Sequence, residues 1–293
     1  MAGKLGKGLS ALSFLLTHPK RSLLYIHNLI NYSDSYEENM SNLRELERQS
    51  LAYIRQYVIT LSNVHKAEDD HSNLNRCGVF HGTDKANVVI KDSGKYTINH
   101  DYLRHYDFIL SRFKEEKFTL LEFGCADGNS LRMWKSYFSN AQIVGVDILE
   151  SAKKLAEKRI DICIGDATAR STCDDIVKKY GDIFVIIDDA SHAWSDQRIS
   201  FETFWPYLES GGFYIVEDLE CGAEGAYAPP KILDAQPFYE YAKDRMDILR
   251  WAPDRYPAKN RYQFAQLPDF IKEIELSLDM LVSVPGAVIF RKK

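Results

Sequence analysis

Thr119-Leu120-Leu121-Glu122-Phe123-Gly124-Cys125-Ala126-Asp127-Gly128-Asn129-Ser130-Leu131 begins as an apolar run and ends in Glu-x-Gly-x-x-x-Gly. Leu131, Met133, Trp134, Tyr137 and Phe138 follow at helical spacing, so the stretch reads as strand, glycine turn and helix. Glycines let the backbone turn tightly and come close to a ligand. The helix N-terminus behind them offers unpaired N–H groups to polar or negative ligand groups. Ala141–Asp147 then reads as a second strand ending in an acid. Asp147 lies about 20 residues past the turn, the spacing at which a carboxylate meets ribose hydroxyls in nucleotide-binding α/β folds.

The alternation continues downstream. A helix over Ala152–Lys158 precedes a third strand, Ile160–Asp166, again tipped by an acid. A helix around Ser171–Tyr180 leads to Ile183–Asp189, a continuous apolar run suited to a strand buried on both faces of a parallel sheet. A helix from Trp194 to Leu208 follows, and Gly211-Gly212 opens the strand Phe213–Asp218. Alternating strands and helices predict an open, doubly wound, mostly parallel α/β sheet, which binds ligands at the carboxyl ends of its strands. Gly124, Asp147, Asp166, Asp188-Asp189 and Glu217-Asp218 all fall at that edge. Leu281–Val284 and Ala287–Phe290 flank Pro285-Gly286, which predicts a C-terminal antiparallel β-hairpin.

Upstream, 293 residues suffice for one large domain with an appendage, or for two small domains. The division expected is a helical N-terminal extension over 1–70 and an α/β domain over 71–293. Residues 1–30 form a basic, apolar lead, with Lys4 and Lys7 before Leu9–Leu16 and Pro19-Lys20-Arg21 after it. The apolar run is too short to span a bilayer. It reads either as a docking helix or as a basic amphipathic segment resting on a membrane surface. Over 37–64, Leu43, Leu46, Tyr53, Ile54, Tyr57, Val58 and Leu61 recur at helical spacing. This stripe suits a homo-oligomer contact. Residues 65–80 read as a polar linker, and 222–262, rich in Tyr, Pro and Trp, as an acceptor lid or a packed insertion.

A formal charge of −5 argues against nucleic acid as the main partner. The five cysteines are scattered without a Cys-x-x-Cys pair, so neither a zinc site nor a disulfide framework is indicated. The compartment expected is the reducing cytosol, with membrane association through the N-terminal lead as the alternative.

Chemistry gathers in Asp188-Asp189-Ala190-Ser191-His192 and Glu217-Asp218. If both acidic pairs tip neighbouring strands, Asp189, Glu217 and Asp218 can converge on one cation, and carboxylates without cysteine suit a hard ion such as Mg²⁺. His192, in the loop beyond the strand, could accept a proton near neutral pH. The bland alternatives are that Asp188 and Asp189 cap the following helix and that His192 is a hydrogen-bonded structural residue. Likewise Thr83-Asp84-Lys85 and His100 belong either to a loop closing over the ligands or to turn and cap chemistry.

Gly82-Thr83-Asp84-Lys85, Leu121-Glu122-Phe123-Gly124, Ser130-Leu131-x-Met133-Trp134, Asp188-Asp189-Ala190-Ser191-His192 and Gly211-Gly212-x-Tyr214-x-Val216-Glu217-Asp218-Leu219 together resemble a family of class I S-adenosylmethionine-dependent sugar O-methyltransferases that includes macrolide-modifying enzymes. The resemblance spans about residues 80–220, with a weaker match at the hairpin, and implies the Rossmann-like methyltransferase fold. It implies S-adenosylmethionine and Mg²⁺ as cofactors and a sugar hydroxyl of a glycoside, glycolipid or glycosylated natural product as acceptor. By position it implies Asp189, Glu217 and Asp218 as metal ligands and His192 as general base. The cofactor would meet Glu122, Gly124, Asp127, Gly128, Asn129, Ser130 and Asp188, with Asp147 on its ribose and Asp166 at its adenine end. Residues 1–70 do not match the auxiliary domain of the macrolide enzymes. Cephalosporin-hydroxylase-like proteins also resemble this family, so a metal-dependent oxygenase is a second reading. A catalytically inactive peripheral-membrane binding protein is a third.

Overall fold

In a computed structural model, the described residues are 74–90, 96–98, 100–221, 235–249 and 265–293. The basic lead, the 37–64 stripe and most of 222–262 lie outside them. The chain divides into two compact units, residues 1–70 with Ile90–Tyr96, and His71–Val89 with Thr97–Lys293. The second holds every site residue named above. No helix among the described residues is long and apolar enough to cross a membrane.

Seven described strands form one sheet: β1 (Thr119–Phe123), β2 (Gln142–Asp147), β3 (Ile160–Ile164), β4 (Ile183–Asp188), β5 (Leu208–Val216), β6 (Leu278–Val284) and β7 (Ala287–Lys292). Their order is β3-β2-β1-β4-β5-β7-β6. The first five are parallel, and β7 runs antiparallel to β5 and β6. The expected hairpin is therefore present, inserted with β7 against the parallel strands. The register aligns the strand tips. Phe123 lies opposite both Val146 and Asp188, and Asp188 opposite Val216. Backbone bonds carry it one residue further, from Gly124 N–H to Val146 O at 2.9 Å, Asp189 N–H to Phe123 O at 3.1 Å and Glu217 N–H to Asp188 O at 3.0 Å.

Successive strand side chains face opposite sides, so each strand supplies two cores. Leu120, Ile143, Val185, Ile187, Phe213 and Ile215 pack under α1 (Leu74–His81), α2 (Leu103–Leu110) and α3 (Asn129–Tyr137). Leu121, Phe123, Val144, Ile186, Tyr214 and Val216 pack under α4 (Arg170–Tyr180), α5 (Trp194–Phe204), α6 (Phe238–Leu249) and α7 (Asp269–Ser277).

Three local expectations differ from the structure. The end of the expected linker is helix α1, whose Leu74, Cys77 and Gly78 are buried. Its pattern is weak because the helix is short. Tertiary contact decides it: a side chain at Gly78 would meet Leu103 Cδ1 at 2.2 Å. The helix expected over Ala152–Lys158 is a 3-10 segment, Glu150–Leu155, with only Ala152 buried and so no apolar face to extend. Helix α5 stops at Phe204 and gives way to a 3-10 turn, Trp205–Tyr207, because Pro206 has no N–H to continue the ladder.

The close pairing of β1 and β4 leaves no room at the first glycine. Gly124 has φ +83°, and a Cβ there would lie 2.1 Å from Asp189 O. Gly124→Ala should lower stability by about 1–3 kcal/mol, read in urea unfolding as an earlier midpoint with an unchanged m-value. A midpoint equal to wild type would show that the two strand ends can part freely.

Candidate active site

The glycine turn is built from inside. Cys125 N–H donates to Asp147 Oδ2 at 3.0 Å and Leu149 N–H to Asp147 Oδ1 at 2.8 Å, so the acid tipping β2 ties down the loop beyond β1. Gly128, with φ +73°, precedes α3 in the left-handed region that glycine enters without a steric penalty. Asn129 donates to Gly82 O at 3.2 Å and accepts from Arg132 at 2.7 Å. Asp127 is exposed, and Ser130 is buried at the helix start. Asp166 forms a local turn, its Oδ1 accepting from Thr168 N–H at 2.9 Å and Thr168 Oγ1 at 2.6 Å.

The segment 82–85 covers this turn and delivers a buried cation. Lys85 is 1% exposed. Its Nζ contacts Asp189 Oδ2 and Glu217 Oε2 and lies 3.4 Å from Glu122 Oε1. Burial alone would push the ammonium's pKa down, but Asp189, Glu217 and Glu122 around it drive it well above the ordinary lysine range. Glu122 is pushed up to about 7 by burial, partly opposed by Lys85. Glu217 is held at both ends, since its Oε1 accepts from Tyr106 OH at 2.9 Å.

Asp189 joins this buried group to a second one. Its Oδ1 faces His192 Nε2 at 4.0 Å, and His192 Nε2 lies 3.3 Å from Asp218 Oδ2. Asp218 Oδ1 accepts from Tyr102 OH at 2.8 Å and lies 3.6 Å from His100 Nδ1. His192 and Asp218 both adopt positive φ, 59° and 55°. Non-glycine residues held there cost energy and cluster at functional sites. The ligand atoms of Asp189, His192 and Asp218 all lie within 4.8 Å of one another, as do those of His100, Asp218 and Glu220. A hard cation fits the first group through its two carboxylates. His100 and His192 fall in different groups on opposite oxygens of Asp218, so the two histidines do not form one ligand set with it.

Of the three acids expected to ligate metal, Asp189 and Asp218 converge, while Glu217 faces Lys85 and Tyr106. Neither Asp188 nor Asp189 caps α5, whose N-cap, Ala193, has no side-chain cap bond. His100 does not cap α2. It stacks on Tyr102, with ring centroids 5.0 Å apart. Thr83 does supply turn chemistry, its Oγ1 accepting from Lys85 N–H at 3.4 Å. Asp188 lies opposite Phe123 beside the glycine turn, its Oδ2 accepting from Ser200 Oγ and from Tyr214 OH at 3.3 Å. Tyr102 and Tyr106 had no sequence signal beyond an apolar helix face, because a hydroxyl bound to an acid more than 100 residues away is invisible locally.

The strand order and the acid-lined edge define a class I methyltransferase fold. No family model matches the chain. It is 34% identical over 132 residues to mycinamicin VI 2''-O-methyltransferase of Micromonospora griseorubida, covering 43% of this chain and 33% of that enzyme. It is 30% identical over 186 residues to 8-demethyl-8-alpha-L-rhamnosyl tetracenomycin-C 2'-O-methyltransferase of Streptomyces olivaceus, covering 61% and 46%. Demethylmacrocin O-methyltransferase of Streptomyces fradiae is 34% identical over 127 residues, covering 41% and 32%. The match thus spans 32% to 46% of the length of these relatives. Among solved structures, MycE methyltransferase in complex with Mg, SAH and mycinamycin VI superposes with a TM-score of 0.58 at 23% identity, covering 75% of this chain and 54% of that one. The resemblance read from the motifs is borne out: this is a class I methyltransferase fold related in sequence to sugar O-methyltransferases.

Burial drives the Asp188 carboxyl up to about 7, with the Ser200 and Tyr214 bonds opposing it. In the unfolded chain an aspartate titrates near 4. Between about pH 4 and 7 the unfolded state therefore releases this proton first, and stability falls as pH rises, by at most about 1.4 kcal/mol per unit. Above about 7 this contribution is level. Asp188→Asn should flatten the decline in melting temperature between pH 5 and 7. An unchanged decline would place Asp188 outside it.

Proposed function

We propose that this chain transfers a methyl group from S-adenosylmethionine to a sugar hydroxyl, with Mg²⁺ at Asp189 and Asp218 and His192 as general base. The observation that carries the reading is the placement of His192 Nε2 against Asp218 and Asp189 at the carboxyl edge of this sheet, beside the glycine turn. Sequence similarity to enzymes named as sugar O-methyltransferases, and a fold neighbour solved with Mg and SAH, support it.

When bound, the two cofactors supply an electrophilic methyl group and a Lewis acid that makes the acceptor hydroxyl more acidic. The protein supplies position and proton transfer. The Gly124–Ser130 turn, fastened by Asp147, offers backbone to the cofactor without crowding it. Asp147 keeps its remaining lone pairs for ribose hydroxyls. His192 Nε2 would take the acceptor hydroxyl's proton, and the cofactor held by the glycine turn would supply the methyl group, its sulfur keeping the bonding pair. Asp189 and Asp218, both facing Nε2, stabilise the imidazolium that results. The acceptor is a glycoside, a glycolipid or a glycosylated natural product.

The test is a methyl-transfer screen over those three acceptor classes, with Mg²⁺ or with chelator, alongside calorimetry with S-adenosylhomocysteine. Wild type should bind that product and turn over only with Mg²⁺. His192→Ala should bind it equally and lose about 10²–10⁴-fold in turnover, with the gap narrowing as pH rises and the hydroxyl ionises unaided. Equal rates for His192→Ala at neutral pH would reduce the histidine to a structural role. Full turnover in chelator would remove the metal.

A further inference from the structure

Lys85 is a buried charged side chain that the proposed reaction leaves unused. A buried ammonium surrounded by three acids is not a surface accident: it is 1% exposed, and Glu122 and Glu217 are equally shut from solvent. Its partners arise from the ends of β1, β4 and β5, neighbours in the sheet. Asp189 is divided, with Oδ2 on Lys85 and Oδ1 toward His192 and Asp218. Glu217 has one oxygen on Lys85 and the other on Tyr106. Neither acid can give a cation its full charge while the ammonium keeps its contacts. Two positive centres sharing one carboxylate also repel strongly where water is excluded.

We propose that Lys85 is the resident counter-ion of the metal edge. It holds Asp189 and Glu217 in place, and a divalent cation at Asp189 and Asp218 must compete with it for Asp189, so Lys85 keeps the site's Mg²⁺ affinity weak. The inference rests on the metal reading of the proposed function. Lys85 is a positioning residue, acting through the acids it holds. Its link to Glu122, at the base of the glycine turn, places the same ammonium against the cofactor side of the site.

The experiment is a calorimetric Mg²⁺ titration of the full chain as wild type, Lys85→Met and Lys85→Gln, with cooperative thermal melts as the check on folding. Both variants should bind Mg²⁺ about tenfold or more tightly than wild type, since each removes a unit charge a few ångströms from the ion. Lys85→Gln should do so while retaining a hydrogen-bond donor, which separates charge from packing. Unchanged or weaker binding in folded variants would overturn the inference and leave the metal reading standing. Absence of Mg²⁺ binding in wild type and in both folded variants overturns both. A measurement on unaltered protein covers the case in which neither variant folds. With ¹⁵N-labelled lysine, the slowly exchanging Lys85 Nζ resonance should shift or broaden as Mg²⁺ saturates the site. A resonance that stays fixed while Mg²⁺ binds overturns the inference.

Discussion

The active edge depends on one ammonium. Lys85 reaches Glu122, Asp189 and Glu217 at the tips of three adjacent strands, where carboxylates brought together by the register would otherwise repel each other in a water-poor space. A buried charge is tolerated only with partners, and here the ammonium contacts Asp189 and Glu217 and lies 3.4 Å from Glu122. The parallel register produces the crowding, because it places Asp189 and Glu217 one residue past aligned strand ends. The cation makes that crowding stable.

Two acids then connect distinct environments. Asp189 belongs to the dry lysine group through one oxygen and to the histidine edge through the other. Asp218 lies between His192 on one side and Tyr102 with His100 on the other. The same backbone stretch thus presents one acid, Glu217, inward to Lys85 and the next outward to the histidines. The positive φ of Asp218 accompanies that turn-out, and the opposing His192 shares the strain. Cross-strand hydrogen bonds at Asp189 and Glu217 and the Leu219 N–H bond to Gly286 O at 3.0 Å hold these backbones in place. The C-terminal hairpin therefore fixes the loop that carries Asp218, besides completing the sheet.

The helices divide labour across the sheet. On one face α2 sends Tyr106 to Glu217, while Tyr102 just before it reaches Asp218, so the packing that buries the rings also orients the acids. On the other face α5 sends Ser200 to Asp188, which withdraws that acid from the edge its neighbour Asp189 serves. Adjacent residues on one strand face opposite sides, and two consecutive acids consequently meet unrelated surroundings.

The doubly wound class, the glycine turn and the acid-tipped edge were all legible in the sequence. Each is written in local periodicity or in residues whose backbone freedom is special: a short apolar run bounded by turn residues suits a buried strand, and Gly124 and Gly128 mark positive φ. The hairpin was legible for the same reason, through Pro285-Gly286. Tertiary structure alone decided which acid meets which partner. Lys85 and Glu217 are 132 positions apart, and nothing local tells a lysine in a polar turn from one that ends fully buried. Helix α1 was missed because its stability comes from packing on α2 and α3 rather than from its own pattern. Glu217 and Asp218 look interchangeable as neighbouring carboxylates. Only the pleat, the register and the strand it lies beside give one to a buried ammonium and the other to a histidine.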